Sequence, residues 1–177
     1  MTEVIDYLTL LDWSRDELRT PFILLTNHTD NLSRIIHWWT GGPSHIMWCH
    51  APALVASQNW VFQERPLGEY IGHEIEVLEY EAGWTDYRIE YKRKVLQYID
   101  YQIKRKAVYD VLGIIGHSIF TPSLQNPRRR YCVEAVFRAL RYGFGLYNIK
   151  GEQNTPIGLA TWLREHGWIT TGVRKYT

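Results

Sequence analysis

The sequence predicts an α+β fold, in which helices pack on a small antiparallel β-sheet. Short apolar runs bounded by turn residues cluster in the first half of the chain, and their length and pattern are typical of strands. A long stretch without glycine or proline follows, and later segments show helical periodicity. With 177 residues, the chain has the length of one domain, residues 1–177, with a core of its own.

Helix and strand patterns alternate at the start of the chain. Apolar residues recur at helical spacing over residues 3–13, which predicts a short amphipathic helix. The compact apolar run "PFILLTN" (21–27) predicts a strand. The segment "DNLSRIIHWW" (30–39) predicts a second short helix, because Asp30 or Asn31 can cap its start and the breaker "TGGP" ends it.

The central segments predict an antiparallel meander. "SHIMWCHA" (44–51) is interpreted as a strand, and "ALVASQ" (53–58) as its extension. After a turn near residues 57–59, "NWVFQER" predicts the next strand, and "HEIEVLEYE" predicts a third because Ile75 and Val77 alternate with acidic residues. Consecutive strands joined by short turns pair antiparallel, so these strands are expected to be neighbours.

The second half of the chain is predicted to be mainly helical. Residues 87–107 contain no glycine or proline and should form the longest helix. "VYDVLGIIGHSIF" is interpreted as another helical piece, and "TPSLQNPRRR" as a loop set by its two prolines. "CVEAVFRALRYGFG" predicts a helix that stops at Gly143, and Thr155-Pro156 begins a closing helix in "TPIGLATWLREHGW".

Charge and composition narrow the classes of partner. Twenty basic and nineteen acidic residues leave a net charge of +1, so no overall field recruits nucleic acid or an anionic membrane. Residues 128–130 form one short arginine run with no recognised nucleic-acid module behind it, so no nucleic-acid partner is predicted. No apolar run has the length of a membrane span.

The N-terminal segment lacks the basic start and apolar centre of a signal peptide. We therefore expect a cytoplasmic protein as made, with virion association or export by a non-classical route as the alternatives. The two cysteines, Cys49 and Cys132, are too few for a disulfide scaffold. They fit either a reducing compartment or a free catalytic thiol.

Cys132 is the candidate nucleophile. It opens a predicted helix directly after the arginines of residues 128–130, and both the helix dipole and nearby cations favour a thiolate. We therefore expect its pKa to be lowered. The alternative, that Cys132 is a small buried hydrophobic residue, is equally compatible with the local pattern.

His45 is the candidate base, because it begins a predicted strand directly after a Gly-Gly-Pro turn. A thiol becomes a useful catalyst when a histidine accepts and returns its proton and a third polar group orients the imidazole. A histidine beside tryptophan is, however, more often structural. Cys49 and His50 stand near His45, but zinc needs three or four well-spaced ligands, so neither metal nor another cofactor is predicted.

Several segments in this order resemble one family. "LSRIIHWWTGGPSHIMW" resembles the opening motif of the circularly permuted, YiiX-like branch of the NlpC-type, papain-like cysteine hydrolases. "YDVLGIIG" is similar to the family's segment ahead of the nucleophile, "YCVEAVFRAL" to its Cys-Ser-Glu motif, and "TPIGLATW" to the segment that follows. The likeness spans roughly residues 22–162 and implies a permuted papain-like fold, with the catalytic histidine ahead of the cysteine.

Carried onto this sequence, the resemblance implies that Cys132 is the nucleophile and His45 the base. It places the third member in "WVFQERP", where Gln63 is the match and Glu64 the alternative. The serine that commonly follows the nucleophile is Val133 here, so the oxyanion site is left to backbone N–H groups. Two further residues, Tyr131 and Ser44, are expected to line the pocket.

The function that follows is thiol-dependent hydrolysis of an amide, with a cell-wall peptide as the first candidate substrate. Lipid acyl hydrolysis or transfer is the enzymatic alternative. A catalytically inactive binding or virion-structural module on the same fold stays open as well, with another protein as its partner, because a fold does not by itself determine function.

Overall fold

The computed structural model describes residues 3–27, 34, 42–58, 61–85, 88–106, 108–109, 129–130, 132–145 and 155–174. The helices in these ranges are α1 (Tyr7–Arg15), α2 (Ile89–Arg105), α3 (Cys132–Phe144), α4 (Pro156–Glu165) and the 3₁₀-helix η1 (Leu67–Tyr70). The strands are β1 (Glu3–Val4), β2 (Phe22–Thr26), β3 (His45–Ala51), β4 (Leu54–Gln58), β5 (Phe62–Pro66), β6 (Ile75–Tyr80), β7 (Val108–Tyr109), β8 (Arg129–Arg130) and β9 (Trp168–Arg174). None of the helices in these ranges is long and apolar enough to cross a bilayer.

Seven strands form one sheet in the order β1-β9-β6-β2-β3-β4-β5. All neighbours are antiparallel except β1 and β9, which run parallel. Strands β2 to β5 form an antiparallel meander. The third predicted strand, β6, pairs with β2 and β9 and not with β5, so the expectation that it follows β5 in the sheet is wrong. The predicted α+β fold is confirmed, and β3 lies in the interior of the sheet.

Alternating side chains along the strands point to opposite faces of the sheet and pack in two separate apolar layers. Ile46 and Trp48 of β3 pack in the layer that contains residues of α2, α3 and α4. Met47 and Cys49 of the same strand pack in the opposite layer, which contains residues of α1 and η1. The sheet is therefore covered by helices on both faces, and the candidate nucleophile helix lies on the first.

The hairpin between β3 and β4 corrects the prediction of one continuous strand. Ala51 lies opposite Leu54, so the chain reverses over Pro52 and Ala53. Ala53 has φ of 59°, a left-handed conformation usually taken by glycine. Because an alanine occupies this position, no glycine marked the turn in the sequence. The consequence is that β4, and not "NWVFQER", is the strand after the histidine strand.

The helix predicted over residues 3–13 begins later than expected. Glu3 and Val4 form a strand beside β9, and Asp6 then caps α1 by accepting a hydrogen bond from the Thr9 N–H at 2.7 Å. Glu3 and Val4 form a strand because they pair with β9, which lies far along the chain. The spacing of apolar residues within residues 3–13 contains no information about this distant partner.

The predicted closing helix is shorter than expected and is followed by a strand. Thr155 caps α4 by accepting from the Gly158 N–H at 3.1 Å, as the Thr-Pro pair predicts. The helix ends at Glu165, and Gly167, with φ of 84°, turns the chain into β9. This strand was missed although its segment "WITTGVR" is rich in β-branched residues, which are typical of strands.

The long helix predicted over residues 87–107 is confirmed as α2, with Val95 and Ile99 buried. The helix beginning at Cys132 is also confirmed, but its stop is Gly145, with φ of 69°, whereas Gly143 is buried inside the last turn. Val108–Tyr109 pairs with Arg129–Arg130 as strand, so the helix predicted to start at Val108 is wrong there. The rest of that segment and of the predicted helix 30–39, apart from residue 34, lies outside the described residues.

Candidate active site

The Cys132 sulfur lies against the strand that carries His45. Cys132 is the first residue of α3 and is 4% exposed. The backbone N–H groups of Ile46, of Val133 and of Cys132 itself lie close enough to its sulfur to act on the pKa of the thiol. Because Ile46 directly follows His45, the fold brings the predicted nucleophile to the start of the predicted base's strand.

The ionisation of Cys132 differs from the expectation. Burial raises the pKa of the thiol to about 11, although the three backbone N–H groups act to lower it. The expected lowering of its pKa is therefore wrong for the free chain, because desolvation of a thiolate outweighs these hydrogen bonds. At neutral pH the sulfur is a thiol, and a base must take its proton before it can act as a nucleophile.

His45 is buried and held by a hydroxyl. The imidazole is 5% exposed, and its Nε2 lies 2.8 Å from the Oγ of Ser57 on β4. The Tyr70 O–H donates to the same Ser57 oxygen at 3.3 Å. Tyr70 closes η1, directly after β5. Three buried polar groups from three elements thus form one continuous chain of hydrogen bonds.

The start of β3 is anchored by Asn27, at the end of β2. Its side-chain oxygen accepts from the Ser44 N–H at 3.1 Å, and its backbone carbonyl lies 2.9 Å from Nδ1 of His73. Ser44, expected in the pocket, is buried, and this backbone bond helps to place His45. Gly42, shortly before Ser44 in the chain, lies so close to α4 that a Cβ on it would be 2.7 Å from Ile157 Cδ1.

Gln63 and Glu64 do not take the position expected for the third member. Gln63 lies opposite Ser57 on β5, so Ser57 stands one strand closer to His45. Glu64 lies opposite Ala56 and bonds Nε2 of His50 at 2.9 Å. The assignment is corrected to Ser57 as the group that contacts His45. The sequence offered one signal for it: Ser57 is a polar residue at the end of an apolar strand.

The other predicted pocket group, Tyr131, lies outside the described residues. The start of α3 nevertheless supplies two backbone donors beside the sulfur, those of Cys132 and Val133. Such N–H groups can also stabilise an oxyanion that forms next to the sulfur.

The described residues contain no group of three or more histidine, cysteine or acidic side chains placed to hold a metal. The contact between His50 and Glu64 supplies only two donors, and a protein metal site usually needs at least three. Cys49, considered with them in the sequence, packs in the opposite apolar layer, where burial raises the pKa of its thiol beyond that of Cys132. The part of the chain that the structure describes therefore does not fit a metal centre.

Comparisons with known proteins show a relationship in fold. No protein-family model matches the chain, and no curated protein matches it. Among solved structures, the crystal structure of the metalloprotein YiiX from Escherichia coli O157:H7 is similar, with a TM-score of 0.56 and 18% sequence identity. The match covers 88% of this chain and 90% of YiiX. The chain therefore has a YiiX-like α+β fold.

Proposed function

We propose that this protein is a thiol-dependent hydrolase with Cys132 as nucleophile and His45 as general base. The observation that carries the proposal is the contact of the Cys132 sulfur with Ile46, the residue next to His45. A helix N-terminus carrying a cysteine beside a strand that begins with an oriented histidine is the arrangement that a Cys-His mechanism needs. The order of the two residues along the chain agrees with the permuted NlpC-type family that the motifs resemble.

The proposed reaction begins with a neutral pair, because the thiol is protonated at neutral pH. His45 accepts the thiol proton as the sulfur attacks the carbonyl carbon of the substrate. The same proton then passes to the leaving amine or alkoxide as the carbon–leaving-group bond breaks, which leaves an acyl-enzyme. His45 next takes a proton from water, whose oxygen attacks the acyl carbon and restores the thiol.

For the substrate, we propose an amide, with a cell-wall peptide as the first candidate. An acyl ester of a lipid is the second candidate, because the same acyl-enzyme chemistry serves both bonds. The competing proposal is a binding or virion-structural module whose cysteine is inactive. Burial of Cys132, at 4% exposure, is the observation that favours this alternative.

An acyl-type, thiol-reactive activity probe tests the proposal. We expect the probe to label the unmodified chain and Cys49→Ala equally, and Cys132→Ala not at all. His45→Ala should abolish labelling while leaving the chain folded. Labelling that persists in Cys132→Ala, or moves to Ser57, would show that the nucleophile is assigned wrongly.

A further inference from the structure

A side-chain hydrogen bond extends the contact between β2 and β3 beyond the point where the strands themselves stop pairing. Thr26, the last residue of β2, lies opposite His45 of β3 on one side and Ile75 of β6 on the other. The next residue, Asn27, lies outside the strand. Its side-chain oxygen accepts from the Ser44 N–H at 3.1 Å, so the contact continues to the residue before His45.

Two further bonds hold the end of β2 on its other side, against the segment that leads into β6. The Thr26 hydroxyl donates to the Glu74 carbonyl at 2.7 Å. The Asn27 backbone carbonyl lies 2.9 Å from Nδ1 of His73, and because a carbonyl can only accept, this ring nitrogen carries a hydrogen and donates. The backbone of Asn27 is therefore tied to one neighbouring segment while its side chain holds the other.

The residues that follow Ser44 belong to the candidate site. His45 is the proposed base, and the N–H of the next residue, Ile46, lies close to the Cys132 sulfur. The end of a strand opens more readily than its centre, because fewer bonds hold it. Ser44 is 2% exposed, so water cannot easily replace the Asn27 oxygen as an acceptor. Loss of this oxygen would therefore release the start of β3, which carries His45 and Ile46.

We propose that Asn27 is a positioning residue, whose side-chain oxygen fixes the start of β3 and with it the placement of His45 and Ile46 against Cys132. This inference rests on the proposed function for its effect on catalysis, but the fixation of the strand can be measured without any activity. A purely structural role for Asn27 would lower the stability of the whole sheet and would not loosen the start of β3 relative to its centre.

Amide hydrogen exchange followed by NMR tests this inference in the free chain. In Asn27→Ala, exchange at Ser44 and Ile46 should accelerate about 10-fold or more relative to Trp48, in the middle of the same strand, because the strand start is released. Asn27→Asp should keep the exchange of the unmodified chain, since a carboxylate also accepts. Asn27→Ser, whose oxygen sits one bond closer to the backbone and falls short of the Ser44 N–H, should behave like Asn27→Ala and takes its place if that variant does not fold.

Asp6→Ala is the matched control. The Asp6 side chain accepts from the Thr9 N–H at 2.7 Å, a bond of the same kind as that of Asn27, but it caps α1 and does not touch the histidine strand. The variant should lose stability because a cap is removed. Exchange at the start of β3 relative to its centre should stay as in the unmodified chain.

Hydrolysis of a p-nitrophenyl ester gives the second readout. Asn27→Ala should lower kcat about 10-fold to 100-fold, because misplaced reacting groups slow the chemical step, and leave KM within about 2-fold. Asn27→Asp should recover most of this loss. A change in exchange that is confined to Ser44 or shared by Trp48, or an unchanged kcat in Asn27→Ala, overturns the positioning role. Ester hydrolysis that is unaffected by Cys132→Ala overturns the proposed function instead, and the exchange measurement then still decides the role of Asn27.

Discussion

Gly143 of α3 lies directly against Val95 of α2, and a Cβ at this position requires the two helices or the Val95 side chain to shift. A Cβ on Gly143 would clash with Val95 Cγ2 and would lie 3.2 Å from the Tyr91 carbonyl oxygen. This close approach sets how α3 packs on α2, and α3 carries Cys132 at its first residue. The contact at the C-terminal end of α3 therefore helps to position Cys132 at the N-terminal end of the same helix.

Gly143→Ala should therefore destabilise the protein, although alanine is the better helix former. Overpacking at a well-packed contact costs about 1–3 kcal/mol, which exceeds the gain of up to about 1 kcal/mol in helix propensity. Urea unfolding of the variant measures the loss in the free energy of unfolding. Gln97→Ala, at an exposed position on α2, is the control and should be close to neutral. An increase in stability in Gly143→Ala would show that the helices can separate without cost.

Ala53→Gly should stabilise the β3–β4 hairpin. Ala53 has φ of 59°, where an L-residue with a Cβ is strained and glycine is not. We expect a gain of about 0.5–1 kcal/mol, because the greater freedom of glycine in the unfolded chain offsets part of the relief. Ala56→Gly, in the middle of β4, should instead destabilise the protein. Thermal unfolding of both variants distinguishes the turn from the strand, and a loss in Ala53→Gly contradicts the turn assignment.

The two thiols should alkylate at different rates. Cys132 has a pKa of about 11, and burial raises the pKa of Cys49 further, so Cys132 holds the larger thiolate fraction at any given pH. Iodoacetamide should modify Cys132 first, and its rate should rise about 10-fold per pH unit below the thiol pKa. Mass spectrometry of each site between pH 7 and about pH 9 measures both rates. Faster modification of Cys49, or a rate that is flat across this range, would refute the ionisation described here.

Ser57→Ala should lower turnover far more than Gln63→Ala. Ser57 contacts Nε2 of His45 at 2.8 Å, whereas Gln63 lies one strand farther away, opposite Ser57. Loss of an orienting partner is expected to cost about 10-fold to 100-fold in rate, and Gln63→Ala should stay within about 2-fold. The assay is steady-state hydrolysis of a p-nitrophenyl ester, with circular dichroism to confirm folding. Equal losses of turnover in the two variants would show that Gln63 acts on His45 as strongly as Ser57 does.

The sequence alone determined the elements whose signals are local. The capping pair Thr155-Pro156, the unbroken pattern of residues 87–107 and the compact run "PFILLTN" each predict an element that the structure contains. The motif order also pointed to Cys132 and His45, since a helix start and a strand start can each be recognised from their neighbours.

Tertiary structure decided what depends on partners distant in the chain. The short β1 exists because β9 lies beside it, although the two are at opposite ends of the sequence. The group that contacts His45 also depended on tertiary structure. The hairpin at Ala53, whose left-handed conformation the sequence did not predict, makes β4 the strand beside β3, so Ser57 on β4 and not Gln63 on β5 contacts the imidazole. The pKa of Cys132 likewise followed from burial under the assembled layers, because desolvation is a property of the packed molecule.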